Sequence, residues 1–188
     1  VLAAVLLDPR EPVPARERIV PASDYGEFPE RFTWQGRRFA LQGAGLCEFG
    51  FLGIDLYRAA LYVERPVGAA DDLLRCDQDL LVHLHFVRAL SASQLRAAYE
   101  ASVAANAGDD AGRYDAALGQ LLAAMQDVAV GDGYTFAVLG GRQLVVQRND
   151  VELARIDDAA FARLFVRLYF GDLPPDANMK RAMLDGGR

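Results

Sequence analysis

The sequence predicts an α+β domain in which a large antiparallel sheet carries a layer of helices. Two long strand patterns occupy residues 37–65, and the second is apolar on both faces, which is typical of a strand inside a sheet. The later strand patterns are joined by short turns, which favours antiparallel pairing. Strands, a helix pair, more strands and further helices follow one another without an internal repeat.

The first three strands are expected before residue 64. A short strand at residues 32–35 turns at Gly36 into a long strand, which we expect to join the next one at Gly43-Ala44-Gly45. The strand at residues 51–63 alternates with a period of two. Its faces are predicted to carry Phe51, Leu61 and Val63 on one side and Leu52, Ile54, Leu56 and Tyr62 on the other.

Glycines interrupt this pair of strands at four positions, namely Gly43, Gly45, Gly50 and Gly53. A glycine inside a strand pattern marks a bulge, a bend or the close approach of another backbone. A functional site is therefore expected near this region.

Residues 79–88 form the next strand pattern, with Leu80, Val82, Leu84 and Phe86 on one face. His83 and His85 share the other face, about 6.6 to 6.8 Å apart. A metal site needs further ligands, and the sequence shows no partner cluster for this pair. We interpret the two histidines as part of a polar or half-buried sheet face and predict no metal.

Capping and apolar patterns predict the helices. Ser91 and Gln94 form a capping-box pattern at the start of a helix that Gly108 ends, and a second helix is expected at residues 110–127. The first helix has a mixed face of Leu95, Tyr99, Ser102, Val103 and Asn106. The buried stripe of the second is predicted to be Tyr114, Leu118, Leu121, Leu122 and Met125.

The C-terminal third predicts two hairpins and two helices. The turns fall at Gly140-Gly141 and Asn149-Asp150. Asp157 or Asp158 caps a helix that ends at Gly171, and a short helix follows at residues 176–184. The apolar stripe of the longer helix is Phe161, Leu164, Phe165 and Leu168.

Charge and composition exclude several classes of partner. The 20 Lys and Arg residues against 26 Asp and Glu residues give a net charge of −6, which argues against nucleic acid and anionic membrane surfaces. No stretch reaches the roughly 18 to 20 apolar residues of a membrane span. Cys47 and Cys76 lack zinc-ligand spacing, and their pairing stays open. No cofactor is predicted, and the oligomeric state is open.

The opening VLAAVLL resembles the apolar part of a signal peptide, and Val13-Pro14-Ala15 would pass as a cleavage site. The alternative is an ordinary N-terminal strand or helical turn. We expect an N-terminal arm at residues 1–20, a domain at residues 21–188, and export to the periplasm or beyond, with a cytoplasmic location as the alternative.

Catalytic patterns are absent from the sequence. The two histidines are neighbours on one strand, and no Gly-x-Ser-x-Gly motif occurs. Cys47 follows no cationic residue that would lower its pKa, and Glu48 comes directly after it.

Several segments, in this order, resemble the chalcone isomerase superfamily, particularly its bacterial chalcone isomerase-like branch. The resemblance covers residues 28–184. It rests on LQGAGLCEFGFLGIDLYRAALYVERP, VRALSASQLRAAYEASVAAN, GDGYTF, VELARIDDAAFARLFVRLYFGDLPPD and MKRAML. It implies an open-faced sandwich with a ligand cleft between the sheet and the helices.

The resemblance also implies that the polar residues of the enzymes are replaced here. The arginine that polarises the substrate carbonyl falls at Cys47, whose neutral thiol is a weak donor. The remaining polar positions of the enzymes fall at or near Tyr57, Phe86, Leu95, Ser102 and Leu168, with Tyr169 beside the last.

Three functions follow from the resemblance. The preferred one is non-catalytic binding of an apolar or amphipathic small molecule, with a fatty acid as the leading class. The alternatives are an isomerase or intramolecular lyase with an altered substrate, and a structural envelope protein with a filled cleft. The predicted ligand-binding residues are Cys47, Tyr57, Leu95, Tyr99, Ser102, Leu168 and Tyr169.

Overall fold

A seven-stranded antiparallel sheet, with its strands side by side in chain order, organises the fold. The structure, a computed structural model, describes residues 28–49 and 53–186; the predicted arm and its signal-like opening lie outside them. The strands are β1 (Arg31–Trp34), β2 (Arg37–Phe49), β3 (Ile54–Val63), β4 (Leu80–Phe86), β5 (Gly133–Leu139), β6 (Gln143–Arg148) and β7 (Val151–Ile156).

Five α-helices accompany the sheet in the described part of the chain: α1 (Ala70–Leu74), α2 (Ala92–Ala107), α3 (Asp115–Ala123), α4 (Ala159–Phe170) and α5 (Ala177–Asp185). Among the described residues, no helix has the length and apolar character needed to cross a membrane. The predicted α+β fold with a large antiparallel sheet and a helical layer is confirmed.

The sheet separates two apolar clusters, and β3 contributes to both. Leu61 and Val63 belong to the helix-side cluster, which also holds the buried residues of the helices. Ala60 and Tyr62 belong to the cluster on the opposite face. The prediction that both faces of this strand are covered is therefore confirmed.

The face opposite the helices is covered by the sheet itself. The Trp34 indole Nε1 in β1 donates a hydrogen bond to Gln147 Oε1 in β6, at 2.7 Å. Phe32 from β1 and Phe28 before it pack against the ring of His83, each with a centroid separation of 5.9 Å. Because the first and sixth strands meet through their side chains, the sheet must curl strongly.

The expected join at Gly43-Ala44-Gly45 is wrong. These residues lie inside β2, which continues to Phe49. A Cβ on Gly43 would lie 2.5 Å from the carbonyl oxygen of Ala182, and one on Gly45 would lie 2.7 Å from that of Met179. The glycines therefore allow the backbone of α5 to lie directly on β2, which is the close-approach interpretation of a strand glycine.

The predicted face of Leu56 is also wrong. Cys47 pairs with Tyr57 and Glu48 pairs with Asp55, so Leu56 is an extra residue in β3 at this irregularity. A bulge of this kind interrupts the alternation of side chains. Leu56 consequently packs in the helix-side cluster together with Tyr57, rather than with Tyr62. The predictions for Gly50, Phe51 and Leu52 lie outside the described residues.

Most helix and turn predictions are confirmed. Ser91 and Gln94 form the capping box of α2, and Asp158 caps α4. The expected helix at residues 110–127 is shorter, because a 3-10 helix at Gly108–Tyr114 precedes α3. Gly112 in this segment is a poor helix former. The turns at Gly140-Gly141 and Asn149-Asp150 have the positive φ angles of tight hairpins.

The contact between α5 and β2 predicts that Gly45→Ala destabilises the fold. The new methyl group would overlap the Met179 backbone, with its Cα only 2.8 Å away. Overpacking of this kind costs about 1 to 3 kcal/mol of unfolding free energy, measurable by urea denaturation.

Gly119→Ala is the matched control, since Gly119 lies in α3 and an added Cβ meets nothing within 4 Å. Removing a glycine from a helix interior should stabilise by about 0.5 to 1 kcal/mol. Equal stability of the Gly45→Ala variant and the wild type would contradict the proposed role of Gly45.

Candidate functional site

A small cavity of about 30 Å³ lies between the sheet and the helices. Its wall combines side chains of β3, β4 and β5 with side chains of α2 and α4. The residues that line it are Tyr57, Leu84, Phe86, Leu90, Leu95, Ala98, Tyr99, Ser102, Met125, Tyr134, Phe136, Leu168, Tyr169 and Pro175. The wall is predominantly apolar, and several of its polar atoms are the hydroxyls of tyrosines.

The structure brings the seven predicted ligand-binding residues together. Six of them line the cavity, from Tyr57 in β3 to Tyr169 in α4. Cys47 is not part of the wall, but it pairs with Tyr57 across β2 and β3, and its thiol is hydrogen-bonded to the Tyr57 hydroxyl. Their role in binding a ligand stays a prediction.

The sequence did not single out the other wall residues as part of a site. Alternation on β4 indicated that Leu84 and Phe86 share a face, and the helical stripe contained Met125, but neither pattern showed which apolar residues reach a cavity. Pro175, between α4 and α5, carried no signal for the site. How the helices cross the sheet decides which of these side chains meet.

Four buried weak acids form a neutral polar cluster beside the cavity, made of Cys47, Tyr57, Tyr99 and Tyr169. The hydroxyls of Tyr99 and Tyr169 are hydrogen-bonded at 3.0 Å. All four residues are at most 9% exposed. Two pairs of polar groups, one linking β2 to β3 and one linking α2 to α4, are thus enclosed in an apolar layer.

Burial keeps this neutral cluster protonated. The pKa of Cys47 is raised to about 12, chiefly by burial and to a smaller extent by the nearby carboxylates of Asp176 and Glu48. Burial likewise raises the pKa values of Tyr57, Tyr99 and Tyr169 above their usual range. At neutral pH these groups can donate and accept hydrogen bonds as uncharged groups, but they are poor bases and do not supply a thiolate.

Tyr134 also lines the cavity, but its hydroxyl is hydrogen-bonded to the backbone. It accepts a hydrogen bond from the Gln126 amide at 2.9 Å and donates one to the Ala124 carbonyl at 3.0 Å. This phenol ties the end of the α3 segment to β5. Its hydroxyl therefore has a structural role.

The described cavity wall contains no charged side chain. Arg96 donates to the carbonyl oxygens of Leu122 and Met125, each at 3.0 Å. Arg148 forms an ion pair with Asp132 at 2.8 Å. The described residues thus place no guanidinium in the wall to polarise a carbonyl or to hold a carboxylate.

The two histidines lie on the opposite face of the sheet. His83 Nδ1 is 2.8 Å from Thr135 Oγ1, and burial lowers the pKa of His83 to about 4, with a smaller contribution from His85. Within the residues that the structure describes, no group of three or more His, Cys, Asp and Glu side chains could hold a metal ion. Cys47 and Cys76 are both free and buried.

A family model described as chalcone isomerase-like matches residues 24–185. The chain belongs to the chalcone isomerase-like family. Comparison with curated proteins finds no match. The sheet, the helical layer and the family resemblance inferred from the sequence therefore agree.

A solved structure of a fatty-acid binding protein from Arabidopsis thaliana is similar to this chalcone isomerase-like protein. The two share 20% sequence identity and a TM-score of 0.67, over 84% of this chain and 97% of the plant chain. This likeness shows that the fold is shared over nearly the whole of the plant protein.

The buried His83 predicts a pH-dependent stability. Its folded pKa of about 4 lies below the ordinary value of 6.5, so its contribution is present above pH 6.5 and is lost as the pH falls towards 4. The loss is at most about 1.4 kcal/mol per pH unit for one proton.

Urea unfolding of the wild type and of His83→Gln at several pH values measures this contribution. The glutamine variant has no histidine to titrate at this position, so it should lack this pH-dependent contribution. The difference in unfolding free energy between the two proteins should therefore narrow as the pH falls from 6.5 to 4. A difference that is constant over this range would contradict the assignment to His83.

Proposed function

We propose that this protein binds an apolar or amphipathic small molecule between the sheet and the helices, with a fatty acid or related long-chain lipid as the leading class. The observation that carries the proposal is the apolar cavity beside the neutral cluster. Apolar walls with a few convergent polar groups are typical of small-molecule sites. The fold shared with a plant fatty-acid binding protein supports the same class.

The neutral cluster is difficult to explain by stability alone. Burying hydroxyl groups costs free energy that their hydrogen bonds only offset, whereas leucine or phenylalanine side chains would fill the same space without that cost. Tyr99 and Tyr169 nevertheless place both of their hydroxyls inside the apolar layer. Polar groups of this kind can orient a ligand.

Ligand entry requires the cavity to open. Its volume of about 30 Å³ is far below the roughly 300 to 1,000 Å³ of small-molecule pockets. Among the described wall residues, Pro175 alone is half-buried while the others are buried, and it lies in the connection between α4 and α5. We propose that the acyl chain of the ligand enters beside Pro175 and displaces the flexible side chain of Met125.

The small volume also favours a second candidate, a structural protein whose cleft is filled. In that case Tyr57, Tyr99 and Tyr169 act as core residues, and the hydrogen bond between Tyr99 and Tyr169 locks α2 to α4. An isomerase with an altered substrate is less well supported, because the neutral cluster offers hydrogen-bond donors but no base poised near neutral pH.

The cellular location is a proposal that rests on sequence. The apolar opening at residues 1–7 and the small-residue segment at residues 13–15 support export. A periplasmic carrier would meet lipids outside the cytoplasm. Fractionation of cells that express the full-length protein would test this location.

Binding of a lipid predicts a specific effect of Ala98→Leu. Ala98 lines the cavity from α2, so the larger side chain would occupy space that an acyl chain needs. The affinity for a saturated fatty acid, measured by displacement of an environment-sensitive fluorescent lipid, should fall at least tenfold.

Ala104→Leu is the matched control because Ala104 is exposed on the same helix. Its affinity should equal that of the wild type. Native mass spectrometry of gently purified wild-type protein, followed by solvent extraction, tests the proposal independently. A protein that is purified without a ligand and that does not bind added lipids would favour the filled-cleft structural role.

A further inference from the structure

We infer that the cavity holds the polar end of its ligand in an uncharged form, as an alcohol, an ester or a protonated carboxylic acid, against the hydroxyls of Tyr57, Tyr99 and Tyr169. This inference rests on the proposed function and specifies its ligand. It distinguishes this protein from a carrier that holds a fatty carboxylate with a cation.

The absence of charge from the described cavity wall is the first argument. An ionised carboxylate that leaves water for an apolar site loses a large part of its solvation free energy unless a cation or several strong donors replace the water. The described wall residues include no Arg, Lys or His. An uncharged head group does not meet this penalty.

The chemistry of the neutral cluster is the second argument. Each tyrosine hydroxyl has one hydrogen to donate and lone pairs that accept. Two hydroxyls 3.0 Å apart, as in Tyr99 and Tyr169, use one hydrogen for their mutual bond. The other hydrogen of this pair can be donated to a ligand oxygen, and free lone pairs can accept from a ligand hydroxyl. Such a pair therefore matches an alcohol or a protonated acid.

The surrounding charges are the third argument. Asp176 and Glu48 both act on Cys47 as negative charges, and their repulsion would also disfavour an anion beside Tyr57. At the Tyr134 side the charged groups are Arg96, Arg148 and Asp132. Arg96 donates to two backbone carbonyls, and Arg148 is paired with Asp132, so both cations already have partners.

Wild-type protein and two ligands of equal chain length test the inference: dodecan-1-ol and dodecanoic acid, titrated at pH 6, 7 and 8. A carboxyl group with an ordinary pKa near 4.3 loses about tenfold of its neutral fraction per pH unit in this range. If only the neutral form binds, the apparent affinity for the acid should fall about 100-fold from pH 6 to pH 8. The affinity for the alcohol should stay constant.

An acid affinity that does not change with pH, or that exceeds the alcohol affinity at pH 8, would overturn the inference while leaving lipid binding intact. Failure of both ligands to bind at every pH would instead remove the proposed function. The two failures are therefore distinguishable.

Tyr169→Phe locates the head group. The variant keeps the ring contact with Phe165 and removes one hydroxyl, so the affinity for dodecan-1-ol should fall about tenfold while that for dodecane is unchanged. Tyr62→Phe is the control, since it removes a buried hydroxyl on the opposite face, where the Tyr62 hydroxyl donates to the Pro29 carbonyl. Equal alcohol affinities for the wild type and Tyr169→Phe would place the head group elsewhere.

Discussion

The direct contact between the backbones of α5 and β2 is the constraint on which the candidate site depends. Gly43 and Gly45 have no side chains, so the helix lies closer to the strand than any other residue would allow. Gln42 Nε2 donates to the Leu184 carbonyl at 2.9 Å, and Asp176 accepts from the Glu48 amide at 3.3 Å. These bonds hold both ends of α5. The helix in turn holds Pro175 at the cavity wall.

The two faces of the sheet are buried in different ways, and the difference explains why the cavity lies where it does. On one face the sheet curls until Trp34 in β1 bonds Gln147 in β6, which encloses an apolar cluster without any helix from the described chain. On the other face α2 and α4 cross the sheet as cylinders. Round helices on a curved sheet leave space between the two layers. Side chains fill most of this space, and the part that they leave unfilled is the cavity.

The site combines a tightly packed wall with groups that stay neutral. Aromatic side chains pack around the cavity with their rings at steep angles, with centroid separations of 5.8 Å for Tyr99 and Phe136 and 5.7 Å for Tyr57 and Phe86. Low polarity keeps the Cys47 thiol and the tyrosine hydroxyls protonated. A wall of this composition can recognise shape and hydrogen bonding, and it offers no partner to a charged group. Binding and the filled-cleft role use the same residues, and they differ in whether the helices open.

The sequence alone determined the order of strands and helices, because hydrophobic period, caps and tight turns are local properties of the chain. The Ser91 capping box, the Asn149-Asp150 turn and the stripe of α4 were predictable for this reason. The family resemblance over residues 28–184 led to seven predicted ligand-binding residues, six of which line the cavity. Only the tertiary structure decided three features. The helix α5 packs on Gly43 and Gly45, Leu56 lies on the helix-side face because of a bulge, and the hydroxyls of Tyr99 and Tyr169 are hydrogen-bonded. Each of these depends on contacts between segments far apart in the chain, which no local pattern encodes.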